Sequence, residues 1–154
     1  MDSLYAFLES LAISRFIRES NTLWAFPMFL FAHTLGMSIV AGGSSLIDLA
    51  LLGFWPRTMP VKPLEKLYPL MWFGFWINLV TGTVLLVADP RTRLGNADFW
   101  VKMAFVIAGT VVLFMMRKRV FADPQLDVAP VASHARMLAW VSLVCWFGAI
   151  VTGR

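Results

Sequence analysis

Charge is scarce in this chain. Asp, Glu, Lys and Arg make up 14% of its 154 residues while 59% are hydrophobic, against roughly a quarter charged and half apolar in a soluble domain. That deficit excludes a water-solvated globule and leaves a lipid-solvated one. Cysteine is nearly absent too. Cys145 is the only one, which excludes a disulfide within the chain and any zinc or iron-sulfur site built from its own cysteines. The start lacks the clean apolar centre of a cleavable leader, because Asp2, Glu9, Arg15, Arg18 and Glu19 are scattered through it; the segment is expected in the mature protein. No repeat or low-complexity tract is visible. The net charge of +4 comes from basic residues in the connections between apolar runs, where lipid headgroups would meet them. The bilayer is thus the expected partner, and nucleic acid is not.

What the chain has in abundance is long apolar sequence. Four runs, residues 23–54, 67–88, 99–116 and 134–151, approach or exceed the ~18 to 20 residues a helix needs to cross a bilayer. Only helices satisfy their backbone in lipid without a closed barrel, so the fold expected is all-α, an integral membrane four-helix bundle. Pro56, Pro60 and Pro63 mark the first connection, Asp89-Pro90 with Gly95-Asn96 the second, and Asp123-Pro124 with Pro130 the third. Residues 1–22 form a separate N-terminal unit. Leu4, Leu8, Leu11, Ala12 and Phe16 fall on one broad helical face there, which predicts an amphipathic helix lying at the membrane interface or against a neighbouring subunit.

Four spans place both ends on one side, termed side A, and connections 55–66 and 117–133 on side B. Side A carries Arg15, Arg18, Arg91, Arg93, Lys102 and Arg154; side B carries Arg57, Lys62, Lys66, Arg117, Lys118, Arg119 and Arg136. The dense cluster Arg117-Lys118-Arg119 favours side B as cytoplasmic, with both termini periplasmic in a bacterial inner membrane.

His33 lies inside the first run, and an ionisable ring at that depth is a candidate functional group. It sits nine residues beyond Trp24, or roughly 13 Å below the side A boundary at the helical rise. Asn78, Thr110 and Trp146 fall near the same level, and Lys102 and Arg154 stand at the side A ends of the third and fourth runs. An imidazole below two cations suits a b-type haem with its propionates, a quinone or an anion. His33 is equally readable as a structural hydrogen-bond donor, and Asn78 and Thr110 as interhelical bonds. His134 opens the fourth run on side B, something like 10 Å from the level of His33, which argues against a bis-histidine haem within one chain. Met37 follows His33 by one turn on the same face and cannot face it across a haem.

Asp48 stands fifteen residues after His33 on nearly the same face. A carboxylate there needs a partner, and Arg136, His134 or Lys66 are expected to form an ion pair with it, a proton relay being the alternative. Gly36, Ala41, Gly42, Gly43, Ser44 and Ser45 form a small-residue stretch that permits close helix contact. The nine methionines are spread over several faces and read as apolar filler rather than a copper ladder. Trp24, Trp55, Trp72, Trp76, Trp100, Trp140 and Trp146 partly trace interfacial belts.

The segments AHTLGMSIVAGGSSLIDLALLG, FWINLVTGTVLLVADP, FWVKMA and WFGAIVTGR together resemble an uncharacterised family of small bacterial four-span membrane proteins. The resemblance covers the chain from Phe26 onward. It implies weight on His33, Asp48, Thr81 with Gly82, Lys102 and Arg154, and none on His134. The first run is more loosely similar to helices of copper-resistance membrane proteins and four-helix b-type cytochromes. The function expected is a membrane redox module holding a b-type haem or quinone between its helices. The alternatives are a cofactor-free accessory or anchor subunit of a larger membrane complex, and a protein that passes copper or protons. A homo-oligomer is also open. The residues themselves name no catalytic set.

Overall fold

In the computed structural model, residues 25–56, 58–128 and 130–153 are described. The expected interfacial helix of residues 1–22 lies outside them, as does Arg154. The described chain is helical throughout, without a strand. Four helices are long and apolar enough to cross a membrane: Phe26–Phe54, Lys62–Ala88, Ala97–Arg119 and Ser133–Val151. This is a multi-pass membrane protein with the four-helix architecture its hydropathy predicts.

Helix α1 (Ala25–Leu49) runs into a wide π-helical turn, Ala50–Phe54. Gly53 kinks that turn from within at φ 98°, a left-handed conformation that side chains with a Cβ avoid. A 3-10 segment, Lys62–Leu67, opens on Pro63 and leads into α2 (Tyr68–Ala88). Asp89-Pro90 stops α2 and starts the short α3 (Pro90–Leu94), where the Asp89 carboxylate accepts from the Thr92 N–H at 3.4 Å. Asn96 caps α4 (Ala97–Arg119) by accepting from the Asp98 N–H at 3.0 Å. Arg117, Lys118 and Arg119 fill its last turn, the end of the helix dipole that favours cations. Helix α5 (Ser133–Val151) completes the bundle.

The helices are ordered α2, α1, α5, α4 around the molecule: α1 packs on α2 and on α5, and α5 on α4. Glycines set the closest crossing. A Cβ on Gly36 would lie 2.8 Å from the Gly74 carbonyl oxygen, and one on Gly74 would lie 2.9 Å from Ile39 Cβ. Backbones of α1 and α2 therefore meet directly, with dispersion contacts in place of the hydrophobic driving force that lipid removes. Ala41 and Ser44 of the small-residue stretch are buried, whereas Gly42 is exposed and nothing stands near it.

The ring does not close between α2 and α4. Those helices touch through side chains at their side B ends. Tyr68 donates to the Leu113 carbonyl at 3.4 Å, its ring meets Phe121 edge-on at 5.5 Å, and the rings of Trp72 and Phe114 lie 4.8 Å apart. Around this contact sit the buried Ile47, Leu51, Met71, Met116, Val120 and Leu138. The outer surface is apolar, with Phe31, Phe73, Trp76, Ile107, Val144 and Phe147 turned outward. Hydroxyls on that surface are satisfied within their own helices, as when Thr34 donates to the Leu30 carbonyl at 2.9 Å and Thr83 to that of Leu79 at 2.8 Å. That is the arrangement required where no water is at hand.

Candidate functional site

Above the aromatic contact, α2 and α4 diverge and leave a cleft of about 660 Å³, within the range of cofactor sites. Its lower walls are Phe75, Leu79, Met103, Val106, Val111 and Phe114; its side A mouth is polar, with Asp89, Arg93, Asn96, Asp98, Lys102 and Thr152. The cleft thus grades from apolar to charged along the membrane normal.

His33 reaches this wall from α1. Its Nδ1 lies 3.1 Å from the Asn78 carbonyl oxygen and 3.1 Å from Thr81 Oγ1, both on α2. A peptide carbonyl can only accept, so Nδ1 carries the hydrogen. Thr81 in turn donates its hydroxyl to the Ile77 carbonyl at 2.6 Å, which leaves its oxygen lone pairs for the same imidazole N–H. The neutral ring is then the Nδ1–H tautomer, and Nε2 holds a lone pair with no hydrogen-bond partner among the described residues. The Thr81-Gly82 pair explains itself sterically: a Cβ on residue 82 would lie 2.9 Å from His33 Cε1. The imidazole rests on bare backbone.

Two residues of the cleft also carry buried polar atoms. Asn78 Oδ1, an acceptor, and Arg93 Nε, a donor, have no hydrogen bond among the described residues, a costly condition. Lys102 lines the mouth with its ammonium beside the end of α5, where a Cβ on Gly153 would lie 3.2 Å from Nζ. Neither Lys102 nor Arg93 has an ion-pair partner among the described residues. Thr110 also lines the cleft and donates to the Val106 carbonyl at 2.8 Å.

The structure therefore gathers His33, Asn78, Lys102 and Thr110, while Trp146 departs from the expected layer. Its indole is buried between α5 and α4, with Cε2 and Cζ2 facing Gly109, away from the cleft. Helical rise fixes a residue's depth but not the direction it faces. Arg93 was missed because a residue just past a Pro break reads as loop. The signal was Asp89 with Pro90, a cap and first-turn pair that starts a new helix and turns Arg93 back over the opening.

Asp48 is fully buried and its expected ion pair does not form. Arg136 and His134 are exposed on the first turn of α5, and no cation lies within ion-pair distance of Asp48 among the described residues. Its Oδ2 instead accepts from Ser44 Oγ at 3.4 Å, and Ser44 Oγ lies 2.9 Å from Ser142 Oγ. A cation drawn into that apolar packing would lose its hydration, and the exposed Arg136 keeps it. Ser142 escaped notice as one hydroxyl in an apolar run.

A family model matches residues 24–154 and carries the description "family of unknown function", DUF6644. The chain belongs to that family. No curated protein and no solved structure matches it, and nothing found ties it to copper-resistance proteins or b-type cytochromes. The DUF6644 match takes in every residue of the cleft and the buried Asp48 cluster.

Proposed function

We propose that this protein is a membrane redox module whose cofactor, a b-type haem, occupies the cleft between α2 and α4. One observation carries the reading: His33 is fixed to α2 through Nδ1, which leaves the Nε2 lone pair in a large cleft with apolar lower walls and a polar mouth. Histidines that ligate metals characteristically donate their other ring N–H to a carbonyl or similar acceptor, which sets the tautomer and raises basicity. The residues fit the group in two further respects. The bare Gly82 backbone makes room for the ring, and Lys102 with Arg93 stands where carboxylate side chains of a macrocycle would emerge at the mouth. A haem held here would supply one-electron transfer, and the chain's part is to ligate, orient and exclude water.

The splayed α2 and α4 favour a quinone as the second reading. Such a molecule would enter from the bilayer, and Nε2 would accept a hydrogen bond from its reduced hydroxyl. Passage of copper or protons is a third reading. We place the protein in the bacterial inner membrane with the Arg117-Lys118-Arg119 end cytoplasmic, as a homo-oligomer or a component of a larger complex joined through its apolar faces.

Visible absorption of detergent-purified protein, before and after haem addition, is the test. A Soret band in the wild type that is lost in His33→Ala is the expected result. Absence of the band even after haem addition removes the haem reading. Quenching of tryptophan fluorescence by a short-chain quinone, weakened in His33→Ala, would then identify the quinone, and failure of both leaves the anchor subunit.

A further inference from the structure

A second polar site lies apart from the cleft. Asp48 is 0% exposed, and so are the two serines beside it, Ser44 and Ser142. Ser44 Oγ donates to Asp48 Oδ2 at 3.4 Å, and Ser142 supplies the hydrogen of the 2.9 Å contact with Ser44, so both hydroxyls point along one chain toward the carboxyl. The other oxygen, Oδ1, is buried without any partner among the described residues. The titratable group of α2 that interacts with Asp48 is Tyr68, whose own hydroxyl is turned to the Leu113 carbonyl. On α4, Arg117 lies over the Tyr68 ring at 5.6 Å, and no ion pair joins it to the carboxyl. From α5 the polar group that reaches it is Ser142.

An ionised carboxylate in such packing, with one long hydroxyl bond and no cation, is far less favourable than the neutral acid. We propose that Asp48 is a proton-binding site inside the membrane, a neutral carboxylic acid held between α1 and α5 by the Ser44–Ser142 hydroxyl chain. A proton needs no cavity, and the acid form turns the orphaned oxygen from an unpaired charge into part of a neutral group. Its position supports exchange with side B. Asp48 stands two residues before the wide turn Ala50–Phe54, about 9 Å of helical rise from the end of the span. The site is independent of what fills the cleft.

Infrared spectroscopy of the full chain in detergent at neutral pH reads the proton directly. The wild type is expected to show the carbonyl stretch of a protonated carboxylic acid, and Asp48→Asn to lack it. No such band in the wild type, or one that persists in Asp48→Asn, overturns the proposal. Where Asp48→Asn is not recovered folded, Ser44→Ala decides instead. Removing the donor to Oδ2 raises the stretching frequency if the band belongs to Asp48, and an unmoved band overturns the assignment.

Discussion

The two halves of the bundle are built on opposite terms. Toward side B, Tyr68, Met71, Met116 and Phe121 are buried and the helices close on one another. Toward side A, the same α2 and α4 separate around Asn78, Lys102 and Met103. In the closed half the Asp48 carboxyl is packed in without a cation among the described residues; in the open half a half-buried imidazole and two basic side chains line the cleft. The difference teaches that this sequence concentrates tight packing at one end and leaves an open cleft with a polar mouth at the other, the division of labour the proposed function requires.

The largest effect should come from the crossing that holds the closed and open halves together. Gly74→Leu would drive a side chain into Ile39 and the Gly36 backbone, and is expected to cost about 3 kcal/mol, the upper part of the overpacking range. Its thermal midpoint in detergent should fall sharply and ligand binding should go with it. Retention of the wild-type midpoint would show that α1 and α2 are not this close.

Gly82→Ala separates binding from stability. The added methyl meets His33 Cε1 and should push the ring off its rotamer at roughly 0.5–1.5 kcal/mol, enough to weaken cofactor affinity up to about tenfold. The midpoint should fall far less than in Gly74→Leu, because the same strain of roughly 0.5–1.5 kcal/mol is all that the fold loses. Titration of haem or quinone into both proteins reads the contrast.

Thr81→Val should cost about 1 kcal/mol for the lost interhelical hydrogen bond, the bond to the Ile77 carbonyl being internal to α2, and leave the Asn78 carbonyl to hold Nδ1. Nitrogen chemical shifts of labelled histidine report the tautomer. A proton found on Nε2 in the wild type would remove the lone pair from the cleft and the haem ligand with it. The smallest change is expected at Gly42→Ala, where nothing stands within 4 Å of the new methyl. Stability should hold or rise by up to about 1 kcal/mol from helix propensity, which makes it the control for the other glycines.

Much of this was legible in residue order. The four spans and their Pro-marked ends follow from hydropathy and turn residues, and His33, Asn78 and Thr110, expected near one level, all line the cleft. Azimuth was not legible. Trp146 shares that level yet turns toward Gly109, and Asp48 faces Ser142 of α5 rather than the basic residues of side B. Arg93 became a wall residue only once α3 folded back.

Length and apolarity alone fixed a four-span helical protein, because in lipid a backbone has few other ways to satisfy its hydrogen bonds. Which helices touch, and hence that α2 and α4 part to form a cleft, depended on pairwise fit of particular surfaces such as Gly36 against Gly74 and Tyr68 against Phe121. Periodicity reports that a helix has a face. Only packing decides what that face meets, since contacts between spans rest on short-range shape and not on any pattern along one chain.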